Sequence, residues 1–219
     1  MIPKTIHIIW VGDEARRPDK WIQTWVDAHP TWTVRIWGNK ELESRTWQCQ
    51  KQIDICVQAQ KWEGVADIMR YEILHDEGGI YIDADSICLK PLDDLLTPKT
   101  SFFAVYESEK YNPNLIANGY MGSVPNHLIT EQLITSIKNM KNPLKQWSWK
   151  RLSNRKIQPW KTIGPKLLTK ILNNYGGNNV TIFPSKTFLP VHYKDTNTDD
   201  INMDESYATH YWGTSQDAY

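Results

Sequence analysis

Two aspartates one residue apart, Asp83 and Asp85, have the residue type and the spacing to do chemistry. They follow the apolar run 80–82, which predicts a buried strand. Because side chains alternate along a strand, Tyr81, Asp83 and Asp85 share one face if the extended conformation continues. Two carboxylates at the end of a rigid element suit Mg2+ or Mn2+ with open positions for phosphate oxygens, although an isolated Asp-x-Asp is also common in solvated turns.

The segment before this strand predicts an amphipathic helix that ends at the Gly78-Gly79 pair. Double glycine supplies the left-handed conformation that commonly ends a helix. Asp67 and Arg70 lie three residues apart on this helix, either as a surface ion pair or as a pair held near the strand end. Their place beside the apolar stripe favours the second interpretation. The apolar residues at helical spacing are Val65, Ile68, Met69, Ile73 and Leu74.

The long joint pattern resembles the Asp-x-Asp signature of glycosyltransferase family 32. That family includes yeast-type initiating mannosyltransferases and bacterial capsule sugar transferases, and the large glucosylating bacterial toxins carry a related signature. A second likeness lies in the opening strand, residues 2–12, with weaker ones at residues 163–165 and 210–212. The residues that carry the main likeness are Ala66, Asp67, Arg70, Tyr71, Gly78, Gly79, Ile80, Tyr81, Asp83 and Asp85.

The resemblance implies a GT-A fold, an α/β domain with a single Rossmann-like mixed sheet flanked by helices, over residues 1–219. It implies a metal-dependent glycosyltransferase that moves a hexose from a nucleoside diphosphate sugar, UDP- or GDP-linked, to a glycan or glycoprotein acceptor. Retention of anomeric configuration is also implied. The cofactor would be Mn2+ or Mg2+.

The resemblance also assigns roles around the metal. Asp85 would coordinate the ion directly, Asp83 would contact the metal or the ribose, and His210 would be a third metal ligand. Ser215 is the reserve ligand, but this chain has Gln216 where the family commonly has Trp, which leaves the third ligand open. With Arg70, the two aspartates make up the predicted catalytic set.

The donor-binding set comes from three parts of the chain. Trp10 would stack on the donor base, with the backbone of Val11 and Gly12 beside it, although Trp10 is equally compatible with a core position. Asp67 and Arg70 would hold hydroxyls of the donor sugar. Tyr81 and Asp83 complete the set.

Composition limits the classes of partner. The 25 basic and 25 acidic residues cancel, so the overall charge attracts neither nucleic acid nor an anionic membrane. No run of about 18 apolar residues and no signal peptide is visible, which favours a cytoplasmic protein, or host cytoplasm for a viral one. The three cysteines, Cys49, Cys56 and Cys88, are ordinary for a reduced compartment.

The pattern of apolar residues along the chain predicts the order of helices and strands. Residues 4–11, 18–29 and 31–37 predict strand, helix and strand, a βαβ unit with Trp21, Ile22, Trp25 and Val26 buried on the helix. Further strands are predicted at 101–106, 118–122, 180–183 and 188–192, further helices at 128–140 and 165–175, and a loop at 107–114.

Residues 138–161 carry eight basic side chains and no acidic one, interleaved with Trp147, Trp149 and Trp160. A solvated face explains such a run, and a loop that closes over the substrates is the functional interpretation. Nucleic-acid binding fits poorly, because no recognisable binding module is present.

Three rival interpretations of the aspartate pair match the sequence to different degrees. A phosphohydrolase with an Asp-x-Asp nucleophile normally carries its motif after the first strand, whereas this pair comes after several elements. A nucleotide-sugar-binding module without catalysis has the same sequence features. A calcium site of the EF-hand type lacks its glycine and terminal glutamate at the required offsets.

Overall fold

A mixed sheet organises the chain in a computed structural model that describes residues 1–145, 159–196, 198 and 201–212. The strands are β1 (Thr5–Ile9), β2 (Thr33–Trp37), β3 (Gly79–Ile82), β4 (Ser86–Cys88), β5 (Phe102–Ser108), β6 (Asn112–Ser123), β7 (Val180–Phe183) and β8 (Ala208–His210). Six of them form one sheet in the order β2-β1-β3-β6-β5-β7, and β4 pairs with β8 in a separate antiparallel ribbon.

Helices pack on both faces of the sheet. Their bounds are α1 (Asp19–Ala28), α2 (Asn39–Ser44), α3 (Gln50–Gln58), α4 (Trp62–Glu77), α5 (Leu128–Lys138) and α6 (Pro165–Asn173). One hydrophobic core contains residues of α3, α4, α5 and α6, and the other contains residues of α1. None of the helices in the described part of the chain is both long and apolar enough to cross a bilayer.

Strand β1 occupies the interior position that its apolar sequence predicts. It pairs in parallel with β2 and with β3, and Ile8 lies opposite both Ile36 and Ile82. Parallel neighbours end at the same edge of a sheet, where open α/β folds collect their ligands. The residues that follow β1, beginning with Trp10, therefore lie at the same edge as Asp83 and Asp85.

Alternation along β3 places side chains in both cores. Tyr81 is buried among residues of α4 and α5, whereas Ile80 and Ile82 are buried on the opposite face with α1. Gly78 and Gly79 have φ values of +65° and +93°, so the double glycine ends α4 through a conformation that other residues adopt at a cost. The sharp entry into β3 thus follows from local sequence.

Four local predictions were wrong. Residues 107–114 form a β-hairpin, because β5 runs to Ser108 and β6 begins at Asn112. Residues 188–192 are not a strand, and Pro190 within them lacks the N–H that a sheet ladder needs. Val26 is 37% exposed, so the buried face of α1 is narrower than predicted. The extended conformation does not continue through Asp85.

Candidate active site

A turn, rather than an extended strand, presents the two aspartates. Strand β3 ends at Ile82, and the chain turns through residues 84–85 before it enters β4. Ser86 Oγ donates a hydrogen bond of 2.6 Å to the Asp83 carbonyl, which stabilises the turn. The carboxylates therefore converge through the turn and not through the alternation of side chains along a strand.

The ribbon of β4 and β8 brings His210 to this turn. Ser86 lies opposite His210 in the antiparallel register, and the Tyr211 N–H donates to the Asp85 carbonyl at 2.9 Å. His210 Nε2 lies 2.9 Å from Asp85 Oδ1 and 3.5 Å from Asp83 Oδ2. One ligand atom from each of the three residues lies within 4.8 Å of the other two, so the structure brings together all three predicted metal ligands.

The contacts of the His210 ring decide which nitrogen faces the carboxylates. In the neutral form of the ring, Nδ1 accepts a hydrogen bond of 3.2 Å from the Trp212 N–H, and the Trp212 ring meets the imidazole edge-on at 4.8 Å. Nε2 is buried and has no hydrogen bond of normal geometry. Burial opposes protonation, but Asp85 and Asp83 outweigh it and raise the pKa of His210 to about 10.

These three side chains fit a divalent cation. Two carboxylates and an imidazole are an accepted oxygen and nitrogen donor set, and the buried Nε2 has no other partner of good geometry. A proton on Nε2 excludes coordination through that atom, so cation binding requires this proton to leave. The two carboxylates attract a divalent cation as they attract the proton, so binding of the cation releases the proton from Nε2.

Arg70 organises the other side of Asp83. Its Nη1 donates to Asp83 Oδ1 at 3.2 Å and to the Asn118 carbonyl at 2.7 Å, and its Nη2 lies 3.1 Å from Asp67 Oδ1. The Tyr81 hydroxyl also donates to Asp83 Oδ1, at 2.8 Å, while the guanidinium lies over the Tyr81 ring. Asp83 Oδ1 is therefore held by two donors, and Oδ2 is the oxygen that faces His210.

Asp67 and Arg70 form a buried pair, so the surface ion pair is the wrong alternative. Both residues are 6% exposed. Burial raises the pKa of Asp67 to about 6, although Arg70 and Asn118 act against that shift. Burial also acts to raise the pKa of Asp83, but Arg70 and His210 outweigh it and hold that pKa well below its usual range.

Asn118 lies inside this network, where sequence analysis did not place it. Its amide Nδ2 donates to Asp67 Oδ1 at 2.7 Å and to the Tyr71 hydroxyl at 3.0 Å. Its carbonyl accepts from Arg70, so one residue of β6 fixes both members of the α4 pair. The partners are far apart in sequence, and a single Asn in a strand gives no signal of such contacts.

Two glycines make room for the carboxylates. A Cβ at Gly119 would lie 2.3 Å from Asp83 Oδ2, and a Cβ at Gly164 would lie 2.7 Å from Asp67 Oδ2. Gly119, in the strand predicted at residues 118–122, therefore allows a close approach of Asp83. Gly164, at the start of α6, packs on Asp67.

The donor-binding candidates after β1 have specific contacts. Trp10 is partly exposed, and its Nε1 donates to the Asp13 carbonyl at 2.8 Å. Gly12 has φ +98°, and its N–H and carbonyl are both bound by the Asn39 side chain at 2.8 Å. Val11 is buried. Sequence analysis missed Asn39, which fixes the conformation of the segment that it assigned to the donor.

His7, inside β1, is a core histidine and is fully buried. Its Nε2 lies 2.9 Å from the Gly78 carbonyl, and its Nδ1 accepts from Trp37 Nε1 at 3.1 Å. Ser215, Trp147 and Trp149 lie outside the described residues, as does most of the predicted substrate loop.

Comparison with known proteins shows what this chain is similar to. The family described as "Glycosyltransferase sugar-binding region containing DXD motif" matches residues 16–103, which include the Asp83 turn. A solved structure titled "PaToxG Glycosyltransferase" aligns with TM-score 0.61 and 19% identity over 79% of this chain and 69% of that one. The predicted likeness to Asp-x-Asp sugar transferases and the predicted GT-A glycosyltransferase fold are both confirmed.

Particular relatives come from fungi and a virus. Mannosyl phosphorylinositol ceramide synthase CSH1 of Saccharomyces cerevisiae is 29% identical over 96% of this chain and 53% of its own length. Inositol phosphoceramide mannosyltransferase 2 of Schizosaccharomyces pombe is 31% identical over 67% of this chain and 41% of its own. The uncharacterized glycosyltransferase L373 of Acanthamoeba polyphaga mimivirus is 28% identical over 90% and 77%. The chain spans about half the length of the two fungal relatives.

Proposed function

We propose that residues 1–219 form one glycosyltransferase domain that moves a hexose from a nucleoside diphosphate sugar to a glycan, glycoprotein or glycolipid acceptor. The observation that carries this proposal is the convergence of Asp83, Asp85 and His210 at the carboxyl edge of β1 and β3. Ligands of open α/β folds collect at that edge. The matched DXD region supports the same assignment.

The proposed cofactor is Mn2+ or Mg2+ held by Asp83, Asp85 and His210. When bound, the cation supplies positive charge that stabilises the diphosphate leaving group as the bond to the sugar breaks. Asp85 is the proposed direct ligand, because the network around Arg70 occupies one oxygen of Asp83. His210 contributes Nε2 once its proton has left.

Arg70 acts in this proposal mainly through Asp83. Its guanidinium and the Tyr81 hydroxyl fix Oδ1, so Oδ2 keeps a constant direction toward His210. The burial of Arg70 and Asp67 limits what a donor sugar can reach in this arrangement. Arg70 is therefore a positioning residue here, and the predicted contacts of Arg70 and Asp67 with sugar hydroxyls stay predictions.

The donor nucleotide is proposed to lie on the side of β1. Trp10 follows β1 at the edge that the Asp83 turn shares, and its partly exposed ring suits stacking on a base. The Asn39 side chain occupies the N–H and the carbonyl of Gly12, so the backbone at Gly12 would border the donor without hydrogen-bonding to it. Val11 is buried in the core and anchors the backbone between Trp10 and Gly12.

The names of the relatives suggest which sugar to test first. One fungal relative is named a mannosyl phosphorylinositol ceramide synthase, and the other is named an inositol phosphoceramide mannosyltransferase. Mannose is accordingly the first donor sugar to test, and a phosphate-bearing sphingolipid is a candidate acceptor beside glycans and glycoproteins. Retention of configuration rests on the family resemblance alone.

The test is donor hydrolysis and transfer by the full chain with Mn2+, and by Asp85→Asn, with a panel of UDP- and GDP-sugars. We expect release of the nucleoside diphosphate by the native chain and its loss in Asp85→Asn, with unchanged circular dichroism. Equal activity of the two proteins would exclude the metal role. Donor binding without turnover would support a binding module, and phosphate release from a simple phosphomonoester would support a phosphohydrolase.

A further inference from the structure

Basic residues are segregated within a chain that is neutral overall. Between Glu131 and Asp195 there are 12 Lys and Arg residues and no acidic residue. The neutral total therefore combines a strongly basic segment with an acidic remainder. An electrostatic interaction between exposed groups depends on charges within about 8 Å at physiological salt, so this local excess matters more than the total.

The fold gathers five of the eight described lysines of this segment at one end of a helix pair. Helices α5 and α6 are antiparallel, since His127 before α5 contacts the ring of Tyr175 after α6, and Thr162 before α6 donates to the Pro143 carbonyl after α5. The last residues of α5 and the first residues of α6 therefore lie together. Five lysines belong to this end: Lys138, Lys141, Lys145, Lys161 and Lys166.

Trp160 lies in the middle of this basic end. Trp160 is 37% exposed. The ammonium groups of Lys161 and Lys166 lie 5.0 and 4.8 Å from the centroid of its ring. No ion pair joins either lysine to an acidic group among the described residues.

This surface lies beside the candidate active site. Gly164 packs against both the backbone of Trp160 and the carboxylate of Asp67. Asp67 pairs with Arg70, which holds Asp83. A partner that contacts Trp160 and its lysines is thus only a few residues away from the proposed metal ligands.

We propose that the five lysines and Trp160 form a docking surface for a membrane leaflet that contains anionic phospholipids. Exposed lysines without acidic partners are attracted to the negative surface potential of such a leaflet, and tryptophan is favoured at the boundary between headgroups and acyl chains. This contact holds the transferase edge of the domain against the headgroup layer. It extends the proposed function by selecting acceptors that are embedded in, or tethered to, a membrane.

The test is cosedimentation of the full chain with vesicles of phosphatidylcholine alone and of phosphatidylcholine with phosphatidylserine in equal parts. We expect binding only to the second kind, with release at high salt. Lys161→Glu/Lys166→Glu should weaken binding by at least about 25-fold, since each lysine near an anionic surface contributes about fivefold. Trp160→Ala should weaken it further when salt screens the lysines.

A matched control carries the same change in net charge elsewhere. Lys20 and Lys99 are exposed residues of α1 and of the turn before β5, and Lys20→Glu/Lys99→Glu should bind vesicles as the native chain does. Equal loss in both double variants, or absence of vesicle binding by the native chain, would overturn the proposal. Binding to single-stranded DNA in place of vesicles would overturn it in favour of nucleic acid.

The vesicle assay contains neither donor nor acceptor, so its result is independent of transfer activity. A native chain that binds vesicles but hydrolyses no sugar nucleotide would contradict the proposed function and leave the docking surface in place.

Discussion

Asp83 packs against Gly119 so closely that a Cβ on residue 119 would lie 2.3 Å from the carboxylate Oδ2. The Asp83 N–H donates to the Gly119 carbonyl at 2.9 Å, so the same two residues are also joined through their backbones. The position of the proposed metal ligand therefore depends on a missing side chain in the neighbouring strand.

Gly119→Ala is predicted to displace the Asp83 carboxylate while the sheet remains intact. We expect kcat/KM for donor hydrolysis to fall about 100-fold, because misplacement of an active-site group by about 1 Å is enough for such a loss. The free energy of unfolding should fall by about 1 to 3 kcal/mol, as for other overpacked sites. Gly176→Ala is the control, since a Cβ there contacts nothing within 4 Å.

Arg70→Ala is predicted to destabilise the fold as well as to stop turnover. Its removal leaves Asp67 and Asp83 without their shared cation, and breaking a buried pair costs about 3 to 5 kcal/mol. From the sequence alone we expect a loss of turnover with little loss of stability, and burial of the pair revises that expectation. Urea denaturation checks it, and native stability in Arg70→Ala would contradict the described network.

Asn39→Ala is predicted to weaken donor binding without touching the aspartates. The substitution leaves the N–H and the carbonyl of Gly12 without their side-chain partner. An unsatisfied partly buried group costs about 1 to 3 kcal/mol, and part of that cost should appear as lost affinity for the nucleotide. Calorimetric titration with UDP and GDP measures it. Asn174→Ala, which removes an exposed bond to the Lys170 carbonyl, should bind as the native chain does.

His7 is predicted to lower the stability of the fold when the pH is lowered from 7.5 to 5.5. Burial lowers the pKa of His7 from 6.5 to about 4, so the folded state keeps this ring neutral while the unfolded chain takes up a proton. The contribution is present above pH 6.5 and is lost as the pH falls toward 4. At pH 5.5 the loss is about 1.4 kcal/mol.

His7→Gln isolates this contribution, because an amide can occupy both hydrogen-bonding positions without titrating. The difference in unfolding free energy between pH 7.5 and 5.5 should be smaller in the variant by about 1 kcal/mol. Burial also lowers the pKa values of His29 and His127, which act in the same direction in both proteins. An identical pH dependence of the native chain and His7→Gln would contradict the assignment.

Local pattern predicted the elements that position the aspartates. The helical spacing of α4, the double glycine and the apolar β3 are each readable within a few residues, and all three were confirmed. The hairpin of β5 and β6 was missed because its tip, residues 109–111, contains no glycine or proline to mark a tight turn.

Contacts between distant residues could not be predicted from pattern. Asn39 binds Gly12, Asn118 binds Asp67, and Tyr211 binds Asp85 through backbone and side-chain geometry that only the folded chain creates. Family resemblance pointed to His210, whereas residue type alone would not have done so. Burial of Asp67 and Arg70 likewise depends on β6 and on the start of α6, both far along the chain.

The ribbon of β4 and β8 joins residues that are synthesised at different times. Both aspartates leave the ribosome long before His210, which arrives on one of the last elements of the chain. A nascent or prematurely terminated polypeptide can build most of the sheet and still lack the imidazole opposite its acidic turn. Under the proposed metal role, a donor would thus meet all three ligands only after translation has passed β8.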